Sequence, residues 1–560
     1  MEPSTALAVV LVDELARLGV REVVLSPGSR SAPLAYALHA ADAAGLLRLH
    51  VRVDERSAAF LALGLAKASG VPAPVVTTSG TAVANLTPAV LEAHESGVPM
   101  LLLTADRPPE LRGTRANQTT DQLAFFGRTV RWFHDLGVPE TTSSGAAWRT
   151  ALDRAVAAAT GVSGGEPGPV HLNLPLRDPL APAGGPLTHL PPELAGRPDG
   201  APWTRVATTH VTVDAESLPP LARTLVVLAD SPADLARAAT TWAQVQGHPV
   251  VGEPFGRIDA GSAPRLPHGA RIAALVPDRP ELRPERVVVV GRLTLTRTLA
   301  ALTRLPDVRV DLVTADHRWP DPGHVAAGCH PPSVLQQSAS GDGRAPTSDD
   351  ADAHAFRAAW EAAAQEVGRQ IHADLTWPDG PAVASTLLTA LPDDAVLFLG
   401  SSAGVRHVDL VRGLDGADTA NLVASRGLAG IDGCVSTATG IALASTAPTY
   451  AFLGDLTFCH DANGLLIGPD EPVPDLTIVV ANDDGGAIFA SLEYGQADRR
   501  ERHPGVLERV FRTPTGTRLD ALCDAHGVRH TLASTAEELE AAVTPRPSGL
   551  HVVEVPLRVP

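Results

Sequence analysis

The chain has 560 residues, and at roughly 150 residues per domain that length suggests about three or four domains. Hydrophobic residues make up 44% and charged residues 19%, a globular composition that excludes a disordered chain. The formal net charge of −18 excludes a general nucleic-acid or anionic-membrane binder, which needs a basic face, although local arginines can still hold small anions.

Residues 1–20 carry no basic leader, and Asp13 and Glu14 interrupt their apolar stretch. The pattern predicts an amphipathic helix and no signal peptide. No run reaches the ~18 apolar residues a membrane span needs. The four cysteines, Cys329, Cys434, Cys459 and Cys523, form no CxxC pair and read as reduced thiols. These features predict a soluble, cytoplasmic protein with neither a membrane nor a nucleic-acid partner.

The first block alternates short apolar runs, at 23–25, 49–53, 74–77 and 100–103, with helix-like stretches such as 55–69. Such alternation predicts a parallel sheet with crossover helices, whose ligands gather beyond the carboxyl ends of the strands. The loops in question are Ser26-Pro27-Gly28-Ser29-Arg30, Asp54-Glu55-Arg56, Thr78-Ser79-Gly80-Thr81 and Thr104-Ala105-Asp106-Arg107. A Pro/Gly-rich stretch at 180–203 reads as a linker. A second alternating block follows, with strands expected at 224–228, 250–252, 286–290 and 308–313. It carries few polar clusters at its strand ends and reads as mainly structural. A second break spans 338–352, and the last block expects strands at 396–399, 449–453, 476–480 and 551–555. The fold class is therefore α/β with three doubly wound parallel-sheet domains, at 1–185, 200–340 and 355–560.

Three constellations carry chemistry. Gly454-Asp455-Leu456 follows one expected strand, and Asn482-Asp483-Asp484-Gly485-Gly486 follows another. Hard oxygen ligands at two strand ends suit Mg²⁺, which takes one or two carboxylates plus ligand phosphates. Gly454 would let a diphosphate approach the main chain. The plain alternative is an Asp-rich turn. Glu55, at the start of a helix, is either a favourable first-turn charge or a functional carboxyl. Arg30, Arg107, Arg112, Arg115, Arg406 and Arg426 stand in loops, where they are solvated or bind carboxylates in bidentate fashion.

Gly454-Asp455 followed 27 residues later by Asn482 and then a Gly pair resembles the signature of thiamine diphosphate (ThDP) enzymes. Within them, several segments resemble the 2-succinyl-5-enolpyruvyl-6-hydroxy-3-cyclohexene-1-carboxylate synthase family of menaquinone biosynthesis. They include Ser26-Pro-Gly-Ser-Arg-Ser-Ala-Pro-Leu34, Thr78-Ser-Gly-Thr-Ala-Val-Ala-Asn85, Leu103-Thr-Ala-Asp-Arg-Pro-Pro-Glu-Leu111, Ala116-Asn-Gln118, Ser425-Arg-Gly427, Gly430-Ile-Asp-Gly433 and Asp484-Gly-Gly-Ala-Ile-Phe489.

The resemblance implies a ThDP-type fold, with a first domain that binds the aminopyrimidine and a last domain that binds diphosphate and metal. It implies ThDP and Mg²⁺ (or Mn²⁺) as cofactors and Glu55 as the cofactor-activating carboxyl. Ser79, Gly80, Thr81, Gly430, Ile431, Gly454, Asp455, Leu456, Gly486 and Ile488 are the implied cofactor contacts, with Ile431 as the apolar wedge that bends the cofactor. Asp455, the Gly485 carbonyl and either Asn482 or Asp483 are the implied metal ligands. Aligning on the Gly pair favours Asp483; counting from Asp455 favours Asn482. Leu456 stands where ThDP enzymes in general have Gly. Ser29, Arg30, Arg107, Asn117, Gln118, Ser402, Arg406 and Arg426 are implied around the carboxylates of isochorismate and 2-oxoglutarate, with the arginines converging on one pocket. Ile488, Phe489 and Leu492 are implied as the apolar wall. Arg297, in Thr296-Arg297, is the retained half of a basic pair. The implied activity is a carboligase, in a homo-oligomer whose sites lie at a subunit interface. The alternatives are another ThDP 2-oxoacid decarboxylase or acetolactate-synthase-like enzyme, or a non-catalytic homologue. The absence of any His-His pair weighs against a simple decarboxylase.

Overall fold

The computed structural model describes residues 1–141, 145–185, 187–188, 190–207, 218–219, 221–256, 265–315, 317–337, 351–414 and 420–558. Residues 338–350 of the second expected break, and Pro186 and His189 of the first, lie outside the described residues.

Three parallel sheets form, because most of their strands are Val/Leu runs buried on both faces. The first contains β1 (Glu22–Leu25), β2 (Arg48–Val51), β3 (Ala73–Thr77), β4 (Met100–Asp106), β5 (Trp132–Asp135) and β6 (Pro169–Pro175), in the order β2-β1-β3-β4-β6-β5. The second contains β7 (Thr224–Leu228), β8 (Val250–Gly252), β9 (Arg286–Val290), β10 (Arg309–Val313) and β11 (Ala326–His330), in the order β11-β10-β9-β7-β8. The third contains β12 (Val396–Leu399), β13 (Asn421–Ala424), β14 (Thr449–Gly454), β15 (Leu476–Asn482), β16 (Arg529–Leu532) and β17 (Leu550–Pro556), in the order β13-β12-β14-β15-β17-β16. Counted from its own first strand, the third sheet repeats the order of the first.

The helix Glu55–Ser69 starts and stops where its sequence directs. Asp54 caps it, its Oδ1 accepting the Arg56 N–H at 2.8 Å, and Gly70 ends it at φ 71°. It crosses the helix Cys434–Ala444 so closely that a Cβ on Gly440 would lie 2.9 Å from the Gly64 Cα and 2.7 Å from the Leu65 nitrogen. Polar contacts flank the crossing: Ser57 Oγ donates to Asp461 Oδ1 at 3.1 Å, and Asn463 Nδ2 to Asp54 Oδ2 at 2.7 Å. Middle and last domains share one apolar core, in which Trp360, Val289, Leu397 and Phe452 are members. Trp360 lies on the long helix Ala351–Asp374 and donates its indole N–H to the Leu282 carbonyl at 3.1 Å.

Two expectations need correction. The first helix, Pro3–Arg17, is not amphipathic: residues 4–12, Glu14 and Leu15 are all buried. It is enclosed by the helices Ala32–Ala43 and Gly145–Thr160, and its buried Glu14 is neutralised by the fully buried Arg149. The stretch at 180–203 is not a free linker where described. The Trp203 N–H donates to Glu14 Oε1 at 2.6 Å, and Arg17 Nη1 to the Arg197 carbonyl at 2.9 Å. Among the described residues no helix is long and apolar enough to cross a membrane.

The helix crossing leaves no room for a side chain. Gly440→Val should lower stability by roughly 1–3 kcal/mol, the cost of overpacking a tight contact, read as a lower urea midpoint.

Candidate active site

The last domain turns two carboxyls towards each other. β14 ends at Gly454, and Asp455 opens the short helix Asp455–His460. β15 ends at Asn482, and the chain turns through Asp483, Asp484 at φ 48° and Gly485 at φ 139°. Asp455 Oδ2 accepts the Gly485 N–H at 2.8 Å, which ties the turn to the end of β14. Burial lifts the Asp455 carboxyl to about 6. Asp483 is lifted to about 7, first by burial and then by the charge of Asp455. Its Oδ1 is buried with no hydrogen-bond partner. Asn482 is engaged elsewhere: its Nδ2 donates to Glu554 Oε1 at 2.7 Å, and its Oδ1 accepts the Asp484 N–H at 2.9 Å.

A cavity of about 140 Å³ opens beside these carboxyls. Ser402, Ile431, Gly454, Asp455 and Leu456 line it from the ends of β12, β13 and β14. Asp483, Gly485, Gly486, Ile488 and Phe489 line it from the end of β15. Gly430 is exposed just before Ile431, and Leu492 closes the turn Ala487–Ser491. A larger cavity of about 510 Å³ shares His407, Asp483 and Ile488 with the first and is edged by Arg406. Among the described residues, every side chain lining either cavity lies in the last domain.

The first domain assembles a second pole. Glu55 stands half-buried at the head of its helix, where its Oε2 accepts the Asn85 Nδ2–H at 3.3 Å. Ser79 and Gln118 are bonded reciprocally: Ser79 Oγ donates to the Gln118 carbonyl at 2.9 Å, and Gln118 Nε2 to the Ser79 carbonyl at 3.0 Å. Gly80 needs its φ of 86° to make that turn, and a Cβ there would crowd Gln118. Thr81, Asn117 and Ser29 are exposed. Arg107 donates through Nε and Nη2 to the Asn117 carbonyl at 3.3 and 3.1 Å.

The arginines form two groups instead of one. Arg30 is buried, donates to the Leu176 carbonyl at 2.9 Å, and is depressed by burial and by neighbouring Arg107. Arg406 is depressed by burial and then by Arg297, and Arg426 by burial with a contribution from Arg406. Within one chain, therefore, Arg30 and Arg107 stand in the first domain, and Arg297, Arg406 and Arg426 stand where the middle and last domains meet. Within one chain the two groups stand apart because they ride on different sheets.

The N-terminal signature of thiamine pyrophosphate enzymes, "Thiamine pyrophosphate enzyme, N-terminal TPP binding domain", matches residues 5–125. A 2-succinyl-5-enolpyruvyl-6-hydroxy-3-cyclohexene-1-carboxylate synthase of Saccharopolyspora erythraea is 46% identical over 559 residues, covering 99% of this chain and 96% of its own. The enzyme of the same name from Nocardia farcinica is 45% identical over 571 residues, with the same coverage of 99% and 96%. The chain belongs to that synthase family. It is a ThDP-dependent enzyme. The solved benzoylformate decarboxylase of Polynucleobacter necessarius has the same fold, with a TM-score of 0.66 at 17% identity over 100% of this chain and 99% of that one.

Membership in the synthase family does not reveal what holds the first pole in shape. Buried Asn173 donates to Asp106 Oδ2 at 2.9 Å and accepts from Gln122 Nε2 at 3.1 Å. Gln122 Oε1 in turn accepts the Gly80 N–H at 3.0 Å, and Arg112 pairs with Asp106 at 2.8 Å. Neither Gln122 nor Asn173 stands in a recognisable motif: Gln122 lies in an irregular loop and Asn173 inside buried β6, so no local signal marks them. Gln122→Leu leaves the Gly80 N–H and the Ala105 carbonyl without partners, at about 1–3 kcal/mol per buried group. Its urea midpoint should fall, and amide exchange at Gly80 should quicken by about tenfold or more.

Proposed function

We propose that the enzyme decarboxylates 2-oxoglutarate and joins the remaining four-carbon unit to the ring of isochorismate, releasing CO₂ and forming the product for which its relatives are named. The observation that carries this reading is the two groups of arginines. Each substrate brings two carboxylates, and a guanidinium fork matches a carboxylate through two parallel hydrogen bonds. Pyruvate, with one carboxylate, would leave much of that charge unanswered.

Bound ThDP supplies the electron sink for loss of CO₂ and for the new carbon–carbon bond. Glu55 holds the proton at the aminopyrimidine nitrogen, from a carboxyl that Asn85 orients. Gly80 and the Ser79–Gln118 clasp support the pyrimidine side, and Gly454 leaves the main chain open to the diphosphate. Asp455 and Asp483 hold Mg²⁺ or Mn²⁺ together with the Gly485 carbonyl. The buried, unpartnered Asp483 Oδ1 supports Asp483 over Asn482, whose amide is already engaged. Mg²⁺ usually takes only one or two carboxylates, so main-chain, water and diphosphate oxygens would complete the set. Ile431 supports the bend of the cofactor. Ile488, Phe489 and Leu492 exclude water from the reacting carbons.

The working unit is a homo-oligomer in which the first-domain pole of one subunit faces the last-domain pole of another. What supports this is that no described first-domain side chain lines the Asp455 cavities, while apolar residues stand exposed at both poles, Val53 and Phe125 at one and Tyr494 and Val510 at the other. The four unpaired cysteines support a reducing, cytoplasmic location.

The purified enzyme with ThDP and Mg²⁺ should consume isochorismate only when 2-oxoglutarate is present, and preference for pyruvate would overturn the reading. Glu55→Gln should still bind ThDP by calorimetry yet turn over about 10²–10⁴-fold more slowly. Asp483→Ala should weaken Mg²⁺-dependent ThDP binding by about tenfold or more, with Asn482→Ala well behind it, and equal losses would return both residues to consideration.

A further inference from the structure

The middle domain reaches the site through a single buried carboxylate. Glu253 follows β8 directly and is 1% exposed. Its Oε1 accepts the N–H groups of Thr294 at 2.9 Å, Leu295 at 2.5 Å and Thr296 at 3.2 Å. Its Oε2 accepts the Thr294 N–H and the Thr294 hydroxyl, both at 3.0 Å. Every group that faces the two oxygens in these bonds is a donor, so the loop after β9 is wrapped around an acceptor it cannot lose without exposing several N–H groups.

That loop is the seat of Arg426. Arg426 is 4% exposed; its Nε donates to Thr294 Oγ1 at 3.2 Å and its Nη2 to the Thr294 carbonyl at 2.5 Å. The Thr294 hydroxyl therefore gives its proton to Glu253 and its lone pair to Arg426. The charge of Glu253 also favours the charged guanidinium. Arg297, the residue after the last N–H of the loop to face Glu253, on Thr296, opens the helix Arg297–Leu302 next to Arg406.

We infer that Glu253 is a positioning residue, whose carboxylate holds the 294–297 loop so that Arg426 and Arg297 present their guanidinium groups to a substrate carboxylate. The inference rests on the reading of Arg426 as a substrate ligand. Glu253 touches no reacting atom; it acts through Thr294. Its amide would keep the size and shape of the side chain but turn an NH₂ towards a row of N–H donors.

The test uses the full-length enzyme with ThDP and Mg²⁺, in the variants Glu253→Gln, Thr294→Val, Arg426→Gln and the double Glu253→Gln/Arg426→Gln. KM and kcat are measured for 2-oxoglutarate and isochorismate, and ThDP affinity by calorimetry. Glu253→Gln should raise the KM of one of the two acids by about tenfold or more while ThDP affinity stays within about twofold. Thr294→Val, which removes only the hydroxyl relay, should raise the same KM by a smaller factor. In the Arg426→Gln background the effect of Glu253→Gln should vanish, since the two act as one unit. If Arg426→Gln raises a KM and neither Glu253→Gln nor Thr294→Val does, or if the effects multiply in the double variant, the inference fails while the reading of Arg426 stands. If Arg426→Gln changes neither KM, that reading fails and the inference falls with it. A purely structural role would lower ThDP affinity and the unfolding midpoint together without a selective KM change, which also overturns the inference. Where Glu253→Gln does not fold, Thr294→Val decides alone.

Discussion

The helices Glu55–Ser69 and Cys434–Ala444 meet main chain to main chain at Gly64 and Gly440, and the placement of the chemistry follows from that contact. Glu55 heads one of these helices, so its position relative to the last domain is fixed by the crossing. Two glycines permit a separation that no side chain would. The neighbouring polar pairs, Ser57 with Asp461 and Asp54 with Asn463, then set how far each helix slides along the other. The same Asp54 caps the Glu55 helix, so the start of the helix and the docking of the domains share one carboxylate. Docked in this way, the two outer sheets, which have the same strand order, each turn a carboxyl edge outward, with Glu55 beyond the first and Asp455 and Asp483 beyond the last.

Charge is handled locally. A chain with a net charge of −18 nonetheless buries Arg30 and Arg426, and each is held by main-chain oxygens. Burial depresses both, with Arg107 adding to it at Arg30 and Arg406 at Arg426, so these guanidinium groups are costly to keep dry and gain from an anion arriving beside them. Asp455 and Asp483 are the mirror case: burial raises both, a neighbouring carboxylate adds to it (Asp484 beside Asp455, Asp455 beside Asp483), and both gain from a cation.

The middle domain is more than a spacer. Its sheet shares a core with the last domain, and its loops grip the Arg426 segment. Arg292 donates to the carbonyls of Arg426 and Gly427 at 2.8 and 3.2 Å. Glu92, from the first domain, accepts the N–H groups of Gly427 and Leu428, both at 2.7 Å. The loop of the last domain that follows β13 is thus clamped at Arg426, Gly427 and Leu428 by side chains of the other two.

Much of this was legible in the residues. Strands expected at 224–228, 250–252, 286–290 and 396–399 occur with those bounds, and so does the helix at 55–69, because each is a run of one periodicity closed by a cap or a turn. β5, β11, β13 and β16 escaped notice because edge strands are half-exposed and carry polar residues, and β6 because His171 and Asn173 interrupt its apolar run although it is buried throughout. The first helix misled because burial on all sides needs neighbours 30 to 190 residues away, which no local period encodes. The family, the Asp455 motif and the Glu55 segment were legible because the chemistry demands those residue types at those spacings. Only the tertiary structure shows Asn482 bonded to Glu554 and Asp483 Oδ1 buried without a partner, since adjacent positions at a strand end point to opposite sides of the sheet. Only it divided the arginines into two groups and brought Glu253 under Thr294, 41 residues on, because those contacts join the ends of strands that are neighbours in space and not in sequence.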